Sequence, residues 1–225
     1  MFLLSVDKQE LYERVLILIA QWCQPHVDID KDDIRTRLDT QAEDIFKSLV
    51  DNMLIDQKKI SSPEDLRRVE LEPALCRRVL DTANQNLAEA GFKGNSDNYY
   101  LADNSFINRV LDTKLGIPIS LSLMYSCILA RLGIICEPIN FPRHFLLRWL
   151  EHPELTVPNQ RYSYIDVFNG GQRLTATEAL EQLGPELVQP DNIFHVATPV
   201  EAAQRMLRNL ISIGGFISIS IFCFN

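Results

Sequence analysis

The sequence lacks the features that would place it in several large classes of protein. Its 22 Lys and Arg residues, against 30 Asp and Glu, form no basic stripe, so we expect no nucleic-acid partner. The five cysteines include no CxxC pair, which disfavours a zinc ribbon or disulfide framework and favours a reducing compartment. The four histidines have no metal-ligand spacing, so the sequence predicts neither a metal nor a cofactor.

Long apolar runs are scarce as well. The apolar run at residues 1–5 is too short for a signal peptide, and charged residues follow it at once. A second run, at residues 210–224, is shorter than the ~18–20 residues that cross a bilayer. We therefore predict no membrane partner and a cytoplasmic location, with the nucleus as the alternative. Residues 213–225 are predicted to form an atypical apolar tail.

Helical periodicity dominates the first half of the chain. Apolar residues recur at helical spacing in three stretches, and each stripe is predicted to be a core face. Ser62 and Pro63 fit a helix start with proline at the first helical position, and Gly91 fits a helix end. The stripes are Leu11, Val15, Leu16, Ile19, Ala20 and Cys23; Ile34, Leu38, Ala42, Ile45, Phe46 and Leu49; and Leu71, Ala74, Leu75, Val79, Leu80, Ala83 and Leu87.

Short strands are predicted in the second half. Residues 134–141, 144–150 and 162–168 are β-branched or aromatic runs separated by turn residues. Helices first and strands later predict an α+β fold rather than a parallel α/β sheet. We expect a helical N-terminal region at residues 1–91 and a core at residues 92–212.

Two later helices carry a start signal of their own. Thr175 with Glu178, and Thr198 with Glu201, have the spacing of a capping box. In that arrangement each side chain satisfies a backbone N–H of the first helical turn. Small helices are therefore predicted after the strands.

Three side chains form a candidate catalytic constellation: Ser120, His144 and Asp166. A helix that starts at Pro118 places Ser120 in its first turn, while His144 opens one predicted strand and Asp166 lies on the next. Acyl transfer needs a nucleophile, a histidine that takes and returns its proton, and an acceptor that orients the histidine. The order of the three residues fits those roles.

The residue type argues against catalysis by Ser120. A serine hydroxyl is far harder to ionise than a thiol, whose pKa is about 8.5, and a helix N-terminus contributes only about 1 kcal/mol. The hydroxyl is expected instead to satisfy an orphan backbone N–H of the first helical turn. We therefore interpret the three positions as a remnant triad.

His144 and Asp166 also have non-catalytic interpretations. The imidazole could pack under Phe141 and Phe145 and bind the backbone. The carboxylate could anchor the turn at residues 169–171, where an Asn precedes two glycines. A His–Asp hydrogen bond without a nucleophile is a third, intermediate case, which would hold two strands together.

A thiol elsewhere is not expected to replace Ser120. Cys127 lies seven residues later on the same face of the helix, which is two turns or ~10 Å along the axis. Cys136 lies beyond the turn at Gly133. Both cysteines are predicted to be buried core residues rather than exposed, electropositive nucleophiles.

Several motifs together resemble the SirB-like family over residues 10–212. They are ILIAQW at 17–22, GFKGN at 91–95, the pair Tyr99-Tyr100, NSF at 104–106, GIPISLS at 116–122, Pro142 to His144, and Ile165-Asp166. The family domain has a transglutaminase-like, papain-like fold, so the resemblance implies a helix packed on a short antiparallel sheet. It also implies that Ser120 stands where a transglutaminase-like site has a thiol, followed by His and then Asp.

The resemblance also implies a function. Residues 137–149 are most similar to the animal F-box members of the family, which are substrate-recognition subunits of cullin-based ubiquitin ligases. A non-catalytic protein-interaction module is therefore implied, with protein substrates as partners and, where an F-box lies upstream, a cullin scaffold. No F-box is recognisable before residue 10, and the sequence departs from the family after Asn209, so we expect a fragment or a truncated isoform.

Two other functions stay open. The three candidate site residues could serve a hydrolase or acyl transferase, because their order is intact. A cleft walled by Tyr99, Tyr100 and Phe141 could instead bind a small metabolite.

Overall fold

The architecture centres on one buried helix, with other helices around it and a small sheet against it. A computed structural model describes residues 2–183 and 192–214 of the 225-residue chain. The helices are α1 (Phe2–Cys23), α2 (Lys31–Asp51), α3 (Pro63–Arg68), α4 (Pro73–Glu89), α5 (Ile107–Thr113), α6 (Pro118–Arg131), α7 (Ala176–Glu181) and α8 (Pro199–Ile213). Short 3₁₀ turns lie at Ala102–Ser105 and Pro158–Gln160.

The first half forms helices as the periodicity predicts. All six predicted apolar residues of α2 are buried, and Asp30 caps that helix by accepting a hydrogen bond from the N–H of Asp32. Ser62 caps the six-residue helix α3. The predicted stripe from Leu71 becomes helical only at Pro73, because a proline disfavours helical backbone in the residue before it, and Glu72 is extended.

Helix α6 is buried from Pro118 to Leu129 without a break. A helix that is apolar on all sides needs neighbours on all sides. Helices α1, α2, α3 and α5 pack on it, as do two strands of the sheet. The helix ends at Arg131, and its C-cap residue Leu132 precedes the left-handed Gly133. The start of this helix therefore lies deep inside the protein.

The main sheet is antiparallel and follows chain order. Strands β3 (Glu137–Ile139), β4 (Leu146–Leu150), β5 (Tyr162–Asp166) and β6 (Gln172–Leu174) pair in the order β3-β4-β5-β6. A separate parallel pair joins β1 (Lys93–Gly94) to β2 (Leu115–Gly116). The strand predicted at residues 134–141 is therefore too long, and His144 lies in the turn before β4 rather than on the strand.

The two faces of the sheet belong to different apolar clusters. Leu147 lies opposite Ile165, and both join the main core with α6. Leu146 and Tyr164, one residue away on the same strands, point to a second cluster that α7 completes. Mixed helices and a small antiparallel sheet confirm the predicted α+β fold, with a helix packed on the sheet.

The apolar run at residues 210–224 divides at the end of α8. Leu210 belongs to that helix and packs against the main core. Residues 215–225, and with them most of the predicted tail, lie outside the described residues. Within the described part of the chain, no helix is long and apolar enough to cross a membrane.

Gly133→Ala should destabilise the protein far more than Gly170→Ala. Both glycines have left-handed backbone, with φ +83 and φ +73, but a Cβ at Gly133 would lie 2.9 Å from the Cα of Arg67, while at Gly170 nothing lies within 4 Å. We expect the free energy of unfolding to fall by roughly 2–4 kcal/mol for Gly133→Ala and by about 1 kcal/mol for Gly170→Ala. Urea unfolding measures both, and equal losses would contradict the proposed backbone contact.

Candidate functional site

The side chains of His144 and Asp166 meet at one end of the sheet. The His144 Nε2 atom lies 2.7 Å from Oδ1 of Asp166, the last residue of β5. The Asp166 side chain is fully buried, and the His144 side chain is 17% exposed. Because an ionised carboxylate only accepts hydrogen bonds, Nε2 carries a proton and donates it to Oδ1; in the neutral tautomer with this proton, Nδ1 is an acceptor.

Local turns hold this pair in place. Arg143 adopts left-handed backbone with φ 59, and the His144 N–H donates to the carbonyl oxygen of Phe141 at 3.2 Å, which closes the turn before β4. On the other side, the Asn169 side chain donates to Oδ2 of Asp166 at 2.7 Å, and its backbone N–H donates to Oδ1 at 3.3 Å. The carboxylate therefore orients the imidazole and anchors the following turn, as two of the sequence interpretations expected.

The hydrogen bonds of Asp166 also decide its charge state. Burial raises the pKa of this carboxyl group, but the bonds from His144 and Asn169 favour the ionised form and outweigh the burial. The net effect is a pKa below the ordinary range, so the carboxylate is charged near neutral pH.

A second clamp holds the turn after Asp166 from the helical side. Asn84, on α4, donates to the carbonyl oxygen of Gly171 at 3.0 Å and accepts a hydrogen bond from the Tyr125 hydroxyl at 2.6 Å. Gly171 has left-handed backbone with φ +75, and a Cβ there would clash with the Asn84 amide, so a larger residue would be strained at this position. Sequence reasoning missed Asn84, although an amide beside Ala83, within the apolar stripe of α4, was a signal.

Ser120 forms its hydrogen bonds elsewhere. Its hydroxyl is fully buried, donates to the carbonyl oxygen of Asn104 at 2.6 Å, and accepts from the N–H of Ile117 at 3.1 Å. His144 is not among its hydrogen-bond partners in the described structure. The hydrogen bond predicted for this hydroxyl, in which it accepts from a backbone N–H at the helix start, is therefore present.

Asn104 extends that connection into the preceding loop. Its side-chain amide donates to the carbonyl oxygens of Asn98 at 2.7 Å and Tyr99 at 3.1 Å, and its oxygen accepts from Asn95 at 3.0 Å. Ser120 thus fixes the loop at residues 95–104 to the start of α6. Gly94, Asn95 and Asn98 are turn-forming residues, so the sequence indicates a loop here. Nothing in the sequence indicates the hydrogen-bond partners of Asn104.

Aromatic rings border the exposed edge of the imidazole. The Phe168 ring stands edge-on to His144, with centroids 6.0 Å apart, and edge-on to Tyr99, with centroids 6.1 Å apart. Tyr100 packs on Tyr99 but is 74% exposed. A Cβ at Gly94 would lie 2.6 Å from the Phe168 ring, so the loop approaches this ring closely.

The predicted aromatic cleft is wrong at one position. Phe141 does not border this region, because its buried ring stacks on Phe194 with centroids 5.8 Å apart in the second apolar cluster. The turn after β3 directs Phe141 to the face of the sheet that lies away from α6. A metabolite cleft walled by all three aromatic residues is therefore not formed.

Cys127 and Cys136 are buried core residues, as predicted. Burial raises the pKa of the Cys127 thiol to about 12, with a smaller contribution from the nearby Glu13 charge. Burial also raises the pKa of Cys136. Neither thiol forms a thiolate near neutral pH, as predicted. Within the described residues, no group of three or more His, Cys, Asp and Glu side chains could hold a metal ion.

Comparisons with known proteins identify relatives of this chain. Residues 32–208 match the Transglutaminase-like superfamily. F-box only protein 21 of Homo sapiens is 37% identical over 216 residues, which are 95% of this chain and 34% of the human protein. A UPF0162 protein of Xylella fastidiosa (strain 9a5c) is 34% identical over 180 residues, 76% of this chain and 61% of the bacterial protein. No solved structure matches the chain.

The region of similarity is a part of each relative. The chain spans about a third of the length of human F-box only protein 21. The same holds for the protein of Mus musculus, which is 36% identical over 216 residues and is covered to 34% of its length. The similarity therefore concerns the region that contains the His144–Asp166 pair and the start of α6, and not the remainder of those proteins.

Asp166→Asn should destabilise the protein in a pH-dependent way. The carboxylate accepts three hydrogen bonds that an amide cannot all replace, so we expect a loss of roughly 1–3 kcal/mol in the free energy of unfolding near neutral pH. Folding lowers the pKa of Asp166, so its contribution is complete above the unfolded-state value of about 3.9 and is lost as the pH falls through the folded-state value.

Urea unfolding of the wild type and the variant between about pH 3 and about pH 7 measures this difference. The gap between the two proteins should shrink at the acid end. Asp97→Asn, at an exposed aspartate, serves as the control and should show a small effect at every pH. A gap that stays constant down to the lowest pH would contradict a charged Asp166 in the folded protein.

Proposed function

Since the chain belongs to the transglutaminase-like superfamily, we propose that it is a non-catalytic member that recognises protein substrates within an F-box-type ubiquitin ligase subunit. The observation that carries the proposal is the hydrogen bonding of Ser120. The residue at the nucleophile position donates its only proton to a backbone carbonyl, not to the histidine.

This arrangement disfavours acyl transfer for a chemical reason. A serine attacks only when a base takes its proton, and the Asn104 carbonyl oxygen is not such a base. Turning the hydroxyl toward a base would leave the buried N–H of Ile117 without its acceptor, at a cost of about 1–3 kcal/mol. The fully buried Oγ also offers no access for an acyl group.

The His144–Asp166 pair then has a structural and recognition role. The bond holds the turn before β4 against the end of β5, which fixes the surface that includes Phe168 and Tyr99. The imidazole keeps a partly exposed edge with Nδ1 as an acceptor, so it can bind a donor of a partner protein. This is a use of the remnant triad that requires no nucleophile.

The ligase part of the proposal is supported by similarity. The human and mouse relatives are named F-box only protein 21, and the similarity reaches 95% of this chain. We propose that protein substrates bind here and that, where an F-box segment lies upstream, the cullin scaffold binds that segment. The proposed location is the cytoplasm, with the nucleus as the alternative.

A second candidate function is a hydrolase or acyl transferase that uses Ser120, His144 and Asp166. The observation in its favour is the hydrogen bond between His144 and Asp166. In this arrangement Asp166 orients the imidazole, and Nδ1 can accept a proton as a general base would. Catalysis would require the start of α6 to rearrange so that Ser120 leaves the Asn104 carbonyl.

Ser120→Ala should change stability but not chemical reactivity. Loss of the bonds to Asn104 and Ile117 should lower the free energy of unfolding by roughly 1–3 kcal/mol, as measured in urea. A fluorophosphonate probe should label the wild type and the variant equally. Ser122→Ala is the matched control, because Ser122 is buried on the same helix and makes only a long 3.4 Å bond to Phe145. Labelling of the wild type and of Ser122→Ala, but not of Ser120→Ala, would establish the enzyme instead.

The ligase proposal predicts that the longest product of the gene and the 225-residue chain bring down different sets of partners in co-precipitation. The longest protein product of the gene, tagged and recovered after proteasome inhibition, should bring down the cullin scaffold together with substrates. The 225-residue chain alone should recover a subset of those substrates without the scaffold. Absence of the scaffold from the longer product would contradict the ligase role, and absence of every shared protein from the 225-residue chain would contradict substrate recognition.

A further inference from the structure

Arg205, on α8, is a half-buried cation that no described carboxylate neutralises. Its Nη1 atom donates to Oδ1 of Asn140 at 2.8 Å, and no Asp or Glu oxygen of the described residues lies within 4.0 Å. A guanidinium has five N–H donors, so a hydrogen bond to one neutral amide oxygen occupies only one of them and leaves the charge unneutralised. Arg131, another partly buried arginine, is bound by Glu13 at 2.9 Å and Asp39 at 2.5 Å.

A second arginine adds to the unbalanced charge. Arg208 follows one turn later on α8, is exposed, and donates only to the carbonyl oxygen of Gln204 at 3.2 Å. Like charges at this helical spacing repel each other. Burial lowers the pKa of Arg205, and the Arg208 charge lowers it further against an opposing effect of Tyr99. An anion bound at Arg205 would therefore offset both its burial and the repulsion from Arg208.

The two arginines belong to the surroundings of His144. Asn140, the hydrogen-bond partner of Arg205, begins the turn that carries His144. The charge of Arg205 also acts on the Tyr99 phenol, whose ring packs on Phe168, and Phe168 packs on the imidazole. Arg205 is therefore connected to the turn of His144 through Asn140 and to the aromatic residues beside the imidazole through Tyr99.

We propose that Arg205 and Arg208, beside Tyr99, form a carboxylate-binding subsite that selects an acidic segment of a protein substrate. The proposal rests on the proposed function in substrate recognition and adds the chemical class of the recognised segment. A guanidinium and a carboxylate form two parallel charge-assisted bonds, which gives both affinity and direction. The chain has a net charge of −8, so an acidic segment is repelled by the protein as a whole and is drawn to this local cationic site.

The subsite is tested by NMR on the 225-residue chain, with N-acetylglutamate N-methylamide as the probe and its glutamine counterpart as the neutral comparison. The glutamate compound should shift the Nε–Hε signal of Arg205 and the ring signals of Tyr99, and added salt should weaken that binding. Arg205→Gln should weaken it at least about tenfold, because a hydrogen bond to a charged group is worth that much or more. Arg205→Lys keeps the charge but loses the paired geometry, so it should bind with intermediate affinity.

Arg14→Gln is the matched control, because Arg14 is exposed on α1 and forms no ion pair with a described residue. It removes the same charge and should leave the binding of the glutamate compound unchanged. Equal shifts with the glutamate and glutamine compounds would overturn the proposal. So would an Arg14→Gln effect as large as that of Arg205→Gln, since the binding would then follow net charge alone.

Co-precipitation of the wild type and of Arg205→Gln, combined with the NMR measurement, separates this proposal from the function on which it rests. If co-precipitation recovers substrates equally well with the wild type and with folded Arg205→Gln, the subsite is wrong and substrate recognition stands. If the chain recovers no protein but binds the glutamate compound through Arg205, the subsite stands and substrate recognition fails.

Discussion

The complete burial of α6 is the constraint on which the rest of the structure depends. A helix with no exposed side from Pro118 to Leu129 must satisfy each of its polar side chains internally. Ser126 bonds within the helix to Leu123, whereas Ser120 bonds to Asn104, Ser122 to Phe145, and Tyr125 to Asn84. The last three bonds reach three different segments, namely the loop before α5, the residue before β4 and helix α4. The hydroxyl groups of the central helix thereby position the segments that form the candidate site.

The sheet transmits that constraint to the His–Asp pair. One of its faces packs on α6 through Leu147 and Ile165, and the other closes a separate cluster around Tyr164 and Leu174. Asp166 ends the strand that contributes to both clusters, so its carboxylate has little freedom. The Asn84 clamp on the following turn restricts it from a further direction. A buried charge is tolerated at this place because every hydrogen bond it needs comes from a fixed element.

Short sequence patterns predicted the local secondary structure, but they could not predict contacts between segments that lie far apart in the chain. The helical stripe of α2 and the capping box of Thr198 with Glu201 need only neighbouring residues, and both are confirmed. The order of Ser120, His144 and Asp166 along the chain identified them as candidate site residues, but it could not predict their hydrogen-bond partners. Ser120 bonds to a loop 16 residues earlier, and the sequence does not encode that loop's path in any short pattern. Arg205 belongs to no sequence motif. Its proposed role as an anion-binding residue depends on the absence of a described carboxylate around it, which only the structure shows.

Helix α6 also sets a timescale for the chemistry of the buried hydroxyl groups. Backbone amides in a helix enclosed on all sides exchange with solvent mainly through global unfolding, whereas surface loops open by local fluctuation. Ser120 is attached to the start of that helix and to a buried asparagine, so a reagent reaches it at the rate of those rare openings. A covalent modification of Ser120 that is no faster than global unfolding would therefore report those openings, and only a faster one would indicate a hydroxyl that is accessible in the folded protein.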